Sequence, residues 1–121
     1  MLRALSLSVL LLLSIALPAI AGAELGDDVA VCREKGSDPK ARQDACERLI
    51  TDNKAAGKDL ALAYAIRGNT LFDKRNTDKA IEAYSKAIEL DPDNVGFLNA
   101  RGWAYERRGK DDEAVADYNL A

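Results

Sequence analysis

Apolar residues in the middle of the chain recur every three or four positions, first over residues 61–72 and again over residues 80–88. Charged and polar residues fill the positions between them, a pattern that predicts two amphipathic α-helices. The polar segment 74–77 interrupts the pattern and separates the two helices. Pro92 ends the second helix, because the residue before a proline is biased away from helical backbone angles.

This hairpin pattern begins again 34 residues further along the chain. A shift of 34 places Arg67-Gly68 on Arg101-Gly102, Ala80 on Ala114 and Tyr84 on Tyr118. A helix–turn–helix unit with such a period indicates a repeat protein. Gly68 costs roughly 1 kcal/mol in helix propensity relative to alanine. We therefore expect it where two helices approach closely, opposite Ala80, with Leu71 and Tyr84 filling the space beside the contact.

The order of small, aromatic and proline residues in both copies resembles the tetratricopeptide repeat (TPR). The matching residues are Tyr64, Gly68, Leu71, Ala80, Tyr84, Ala87 and Pro92 in the first copy, and Leu98, Gly102, Tyr105, Ala114, Tyr118 and Ala121 in the second. Arg67 and Arg101 depart from the commonest residue before the glycine, although an Arg-Gly pair is a familiar variant. The resemblance implies an all-α fold, in which antiparallel helix hairpins stack as a short right-handed α-solenoid.

The resemblance assigns residues 59–121 to a TPR domain, with one repeat over 61–94 and a partial repeat over 95–121. Asp111 is expected to cap the last helix. Its expected buried stripe consists of Ala114, Val115, Tyr118 and Ala121. The chain then ends with this helix uncovered, which truncation, a partner or a second copy of the chain would explain.

Residues 24–58 carry a weaker form of the same pattern. A short helix is predicted over residues 27–34, and a second one begins at Pro39 after a cap at Ser37 or Asp38. A shift of 38 residues is needed to align this segment with the first repeat. We interpret it as a degenerate N-terminal helix hairpin.

Residues 1–23 differ from the rest of the chain. Arg3 is the only charged residue, residues 5–17 are almost wholly apolar, and Ala19-x-Ala21 and Ala21-x-Ala23 both satisfy the rule for signal-peptide cleavage. The segment therefore predicts a secretory signal peptide, and the chain is expected to meet a membrane only during export. A signal peptide followed by TPR units resembles many small exported proteins of Gram-negative bacteria, which implies passage across the inner membrane and a periplasmic location. A transmembrane anchor is the alternative, although the apolar run is short for a span of about 20 residues.

Cys32 and Cys46 are the only two cysteines, and one lies on each arm of the N-terminal hairpin. In an oxidising compartment they are expected to form a structural disulfide. Free thiols and redox catalysis are the alternatives, but the C-x-x-C motif of redox enzymes is absent.

Composition argues against catalysis and against nucleic-acid binding. The chain has no histidine, which removes the commonest general base and zinc ligand, and its net charge of -3 is unlike that of a phosphate-binding surface. The segment that starts at Asp91 superficially resembles a calcium loop, but it carries Val95 and Gly102 where ligands are needed. No catalytic, cofactor-binding or metal-binding residue is therefore predicted.

In TPR proteins the first helix of each repeat lines a concave groove that takes peptides or extended segments. The residues that this resemblance places in the groove are Leu62, Ala65, Asn69, Phe72, Asp73, Asn99, Trp103, Glu106 and Arg107. Trp103 either points into the groove or packs against the neighbouring repeat. A clamp for a terminal carboxylate is not supported, because only Asn69 matches the residues that such a clamp uses.

Two functions fit this reading. One is an exported TPR adaptor that binds another protein or peptide on its concave face. The other is a structural module that associates with itself through the C-terminal helix or ends a longer array. A regulatory subunit of an envelope enzyme is a third and more distant reading.

Overall fold

A computed structural model describes residues 20–53 and 55–121, and this part of the chain contains six α-helices and no strand. The helices are α1 (Ile20–Arg33), α2 (Pro39–Thr51), α3 (Gly57–Asp73), α4 (Thr77–Leu90), α5 (Val95–Arg107) and α6 (Asp111–Leu120). They pack as three consecutive hairpins, and the second helix of each hairpin contacts the first helix of the next. The structure confirms the predicted all-α stack of helix hairpins.

The contacts between helices show which side of the stack is the inner one. Helix α3 contacts both α1 and α5. Among the helices of the described residues, α2, α4 and α6 make no contact with one another. The first helices of the hairpins are therefore closer together than the second helices. The stack curves so that α1, α3 and α5 line its inner face.

The N-terminal hairpin begins earlier than predicted. Helix α1 starts at Ile20 rather than at Asp27, so it runs through both candidate cleavage positions. Residues 1–19 lie outside the described residues, and the signal peptide stays a prediction. Helix α2 follows the expected start, because the Asp38 side chain accepts a hydrogen bond from the Ala41 backbone N–H at 2.9 Å and Pro39 occupies the first turn. Helix α3 begins at Gly57, so the predicted boundary after residue 58 falls in its first turn.

A disulfide lies in the core of this hairpin. The Sγ atoms of Cys32 and Cys46 are 2.13 Å apart and join α1 to α2. Both cysteines are buried with Ala45 and Leu49, and Ile66 of α3 packs on the same cluster. The cross-link therefore lies beside the contact between the first and second hairpins.

The two glycines of the repeat lie where an aromatic ring meets a helix backbone. A Cβ atom built on Gly68 would lie 2.6 Å from Cδ1 of Tyr84, and one built on Gly102 would lie 2.5 Å from Cε1 of Tyr118. Any side chain at either position would force the ring away. This close approach explains why the helices accept the lower propensity of glycine.

The other signature residues divide between core and surface. Ala80, Ala87 and Ala114 are buried, while Tyr64, Leu71, Tyr105 and Tyr118 are half-buried. Pro92 also matches the repeat pattern, but it is exposed, so grouping it with the residues that pack the repeat is wrong. Helix α4 ends at Leu90, and the proline lies in the loop that follows, where it keeps the helix from continuing.

Helix α6 differs from its prediction at both its start and its buried face. Its N-cap is Lys110, which makes no side-chain capping bond, and Asp111 is already the first helical residue. Val115 is 55% exposed and Ala121 is exposed, whereas Asp117 is buried. The carboxylate can be buried because a partner on α5 neutralises it.

That partner is Arg101, which joins three helices. Its Nε and Nη2 donate to the two Asp117 carboxylate oxygens, both at 2.7 Å, and its Nη1 donates to Ser85 Oγ of α4 at 3.1 Å. Arg67 occupies the equivalent position one repeat earlier, and its Nε donates to Glu47 of α2 at 2.8 Å. Each arginine thus reaches back to the preceding hairpin and fixes the stacking.

Candidate functional site

A cavity of about 420 Å³ opens on the inner face between α3 and α5. Its lining residues are Asn69, Phe72 and Asp73 of α3, Ala100 and Trp103 of α5, and Tyr84 of α4. Ala100 leaves space between the two helices because its side chain is small. Tyr84 enters from behind α3, since its ring crosses the gap that Gly68 leaves open.

Trp103 forms one wall of this cavity and is 66% exposed. The structure therefore places its ring on the inner face rather than in the contact between repeats. A largely exposed tryptophan at a concave site can bury much apolar area when a ligand arrives, and it loses little side-chain entropy. This makes Trp103 the principal apolar contact that the cavity offers.

Tyr84 and Asn69 form a fixed polar pair in the cavity. The Tyr84 hydroxyl donates a hydrogen bond to Asn69 Oδ1 at 2.7 Å. Burial, followed by the negative charge of Asp73, raises the pKa of Tyr84 to about 12. The hydroxyl thus remains a donor at neutral pH. Because Asn69 Oδ1 accepts this bond, its amide N–H₂ is oriented as a donor for a ligand.

We expect replacement of Tyr84 by phenylalanine to change how stability depends on alkaline pH. The pKa of Tyr84 is higher in the folded than in the unfolded chain, so its contribution is complete below pH 10 and is lost as the pH rises from 10 to about 12. Above pH 10 the wild type should lose about 1 kcal/mol more per pH unit than Tyr84→Phe. Urea unfolding at pH 9, 10 and 11 measures both slopes, and parallel slopes would contradict the assignment.

Arg107 closes one side of the cavity by binding Phe72. Its guanidinium lies 3.4 Å from the Phe72 ring centroid, and its Nη1 donates to the Phe72 carbonyl oxygen at 2.7 Å. These contacts join the C-terminal ends of α3 and α5. They also cover the Phe72 ring, so Trp103 is the aromatic ring of the cavity that stays open.

Residues 20–53 and 55–121 hold no cluster of three or more cysteine, aspartate and glutamate side chains placed to bind a metal. None of the helices in these ranges has both the length and the apolar character needed to cross a membrane.

The comparisons with known proteins agree with the helix-hairpin stack. A family profile described as TPR repeat matches residues 68–109, which include the Gly68–Tyr84 contact, Gly102 of the second contact, and all of α4 and α5. The chain contains tetratricopeptide repeats. The profile begins at Gly68, where the close helix contact lies, and it ends at Gly109, which follows α5.

Curated TPR proteins are similar to about half of this chain. The Hsp70-Hsp90 organizing protein of Triticum aestivum is 37% identical over 54 residues, which are 45% of this chain and 9% of that protein. Tetratricopeptide repeat protein 13 of Homo sapiens is 36% identical over 72 residues, 60% of this chain and 8% of the relative. Tetratricopeptide repeat protein 36 of Caenorhabditis elegans is 35% identical over 65 residues, which are 54% of this chain and 36% of that protein. The chain therefore spans a small part of each relative's length.

The structure brings together four of the residues assigned to the TPR groove, namely Asn69, Phe72, Asp73 and Trp103. Arg107 covers Phe72, while Asn99 and Glu106 are exposed on α5 outside the cavity lining. Leu62 and Ala65 differ from expectation. Leu62 is half-buried against two core clusters, and Ala65 is buried beside Phe97.

The pattern did not identify Tyr84 and Ala100 as cavity residues. Tyr84 was assigned to packing only, because helix periodicity does not show that its hydroxyl reaches past Gly68 to Asn69. The glycine opposite a tyrosine was the available signal. Ala100 is not among the residues that repeat position assigns to the groove, although a small residue beside Trp103 is what leaves the cavity open.

Comparison of the two TPR units shows what Trp103 replaces. It occupies the position of Asn69, which accepts the Tyr84 hydrogen bond one repeat earlier. The Tyr118 hydroxyl is buried and has no hydrogen-bond partner among the described residues. The tryptophan therefore gives up a hydrogen bond that stabilises the preceding repeat, and its own ring stays largely in solvent.

Proposed function

We propose that this TPR chain is a non-catalytic protein–protein interaction module that binds an extended segment of another protein on its inner face. The observation that carries the proposal is the cavity between α3 and α5 with Trp103 on its wall. Trp103 contributes little to the fold, since its ring is exposed and its position forgoes a hydrogen bond. A binding role accounts for both properties.

The groups around Trp103 suit an extended segment. The oriented Asn69 amide can donate to a backbone carbonyl, and the open Trp103 ring can pack on a side chain. The cavity is held by helices and by the Arg107–Phe72 contact, so little order has to be gained on binding. The wheat relative is named for organizing Hsp70 and Hsp90, and its similarity to this chain favours an adaptor function.

We also propose that the chain is exported and acts in the periplasm. The support is the signal-peptide pattern of residues 1–23 together with the disulfide between Cys32 and Cys46, a bond that persists in oxidising compartments. Mass spectrometry of the chain recovered from the periplasm of a Gram-negative host would test this. We expect a mature N-terminus at Gly22 or Glu24, and an uncleaved chain in the cytoplasm would contradict export.

Self-association through α6 is the second candidate function. Val115 and Leu120 are exposed on this helix, Leu120 to 71%, and helix α6 packs only on α5 among the described helices. A second copy of the chain could cover this surface. Self-association and binding on the inner face involve different residues, so a single experiment can distinguish the two hypotheses.

The experiment compares Trp103→Ala with Leu120→Ala, because both remove a largely exposed apolar side chain. The full chain and each variant, with the disulfide intact, are immobilised and exposed to an extract of a Gram-negative cell envelope. Binding on the inner face predicts that one partner is retained by wild type and Leu120→Ala and is lost from Trp103→Ala. We expect a loss of at least 2 kcal/mol in binding free energy, the usual threshold for a hot spot.

The opposite result would contradict the inner-face reading. In that case Trp103→Ala retains everything that the wild type binds, and the only captured protein is the chain itself. A native mass that falls to that of the monomer in Leu120→Ala would then assign the interface to α6.

A further inference from the structure

We infer that the cavity beside Trp103 recognises a basic side chain, arginine or lysine, in the extended segment that it binds. This inference rests on the proposed function and adds the chemistry of the ligand. It is carried by a carboxylate without a partner among the described residues, an aromatic ring that is open, and an arginine at the edge of the cavity, Arg107, that already binds Phe72.

The carboxylate is that of Asp73. It lines the cavity, is exposed, and forms neither a hydrogen bond nor an ion pair with any other described residue. By contrast, Asp78 pairs with Arg108 at 2.6 Å and Asp117 pairs with Arg101. Asp73 therefore offers its full charge to a ligand in the cavity.

Arg107, which closes one side of the cavity, does not bind Asp73. Arg107 lies flat over the Phe72 ring and donates to the Phe72 carbonyl oxygen, so it is directed to α3 backbone and ring rather than to the carboxylate. This contact also shows that the inner face already holds a guanidinium against an aromatic ring. Trp103 is the exposed one of the three aromatic rings that line the cavity, and it lacks such a partner among the described residues.

A basic side chain would use both open groups at once. Its charged end would pair with Asp73 while its aliphatic stem or guanidinium packs on the Trp103 ring, which combines an ion pair with a cation–π contact. An acidic side chain would instead meet the repulsion of Asp73. The exposed Glu106 on α5 and the net charge of -3 over the chain favour basic segments at longer range as well.

The test is a selection from a displayed library of random nine-residue peptides on the immobilised full chain. Asp73→Asn and Asp73→Lys are compared with Asp93→Asn, which removes the same charge from an exposed position in the loop after α4. We expect the wild type and Asp93→Asn to select peptides with arginine or lysine at one fixed position. Norleucine at that position should weaken binding to the wild type about fivefold, and the loss should be clearly smaller for Asp73→Asn, where only the contact with Trp103 remains to be lost. Asp73→Lys should select glutamate or aspartate instead.

The outcomes separate this inference from the proposed function. Peptides that require Trp103 but carry no basic residue, or a basic preference that survives Asp73→Asn, would overturn the inference and leave the interaction module in place. If no selected peptide depends on Trp103, the inference and the inner-face function both fail. Thermal unfolding of each variant checks that the exposed substitutions leave the fold intact.

Discussion

Replacement of Arg101 by methionine is expected to lower the free energy of unfolding by about 3–5 kcal/mol. The reason is Asp117, whose side chain is only 4% exposed and whose two carboxylate oxygens both accept hydrogen bonds from Arg101. Hydrogen bonding to that carboxylate raises the pKa of Arg101, so the arginine stays charged throughout the usual pH range. Without it, a buried carboxylate loses its partner. Urea unfolding at pH 7 measures the effect.

Arg67→Met is the matched control, because Arg67 occupies the same position one repeat earlier. Its partner Glu47 has a side chain that is 44% exposed, so water can solvate the carboxylate when the arginine is removed. We expect a loss of about 1 kcal/mol or less. Equal losses for the two arginine variants would show that burial of Asp117 does not govern the difference.

A second change should restore most of the stability that Arg101→Met removes. In Arg101→Met with Asp117→Leu, the buried position holds an apolar side chain and no charge is left unpaired. Apolar replacements of a whole buried ion pair are often neutral or stabilising. A double variant that is as unstable as Arg101→Met would mean that the loss comes from the Ser85 contact or from altered helix packing.

Removal of the disulfide is the second large effect that we expect. Replacing Cys32 and Cys46 by alanine should lower the free energy of unfolding by about 3 kcal/mol, because the cross-link closes a loop of about 15 residues in the unfolded chain. The pair is also buried against Leu49 and Ile66, so the N-terminal hairpin and its contact with α3 weaken together. The measurement is urea unfolding of the oxidised wild type and the double variant.

The control for this prediction uses a reducing agent. Dithiothreitol should bring the wild type to about the stability of the double alanine variant and should leave that variant unchanged. A wild type that is equally stable when oxidised and reduced would exclude the disulfide as a major stabilising element.

The repeat and its helices could be predicted because their physical causes are local. Apolar spacing sets each helix, and Asp38 and Pro39 begin α2. Gly68 marks a close contact between two helices as expected, although it faces the Tyr84 ring rather than Ala80. The start of α1 at Ile20 could not be predicted in this way, because the helix continues into a segment that reads as the end of a signal peptide. The end of α4 before Pro92 was predictable, whereas the exposure of Pro92 was not.

The candidate site was only partly predictable, because it depends on contacts across repeats. Asp117 is buried and Val115 is exposed because Arg101 binds the Asp117 carboxylate. Arg101 lies sixteen residues before Asp117 on another helix, and the periodicity of one helix does not predict such a pair. The orientation of Trp103 and the place of Tyr84 in the cavity depend on how α3 and α5 stack. Repeat position identified Asn69, Phe72 and Asp73, whereas it also included Leu62, which packs against the core.

Binding of the partner on the inner face can be measured by the fluorescence of Trp103, since it is the only tryptophan in the chain. Its fluorescence is recorded with increasing acrylamide, first for the free chain and then for the chain saturated with the captured partner or a selected peptide that contains no tryptophan. We predict strong quenching in the free chain. In the complex, quenching should fall severalfold and the emission should shift to shorter wavelength. Unchanged quenching in an intact complex would contradict binding at this face.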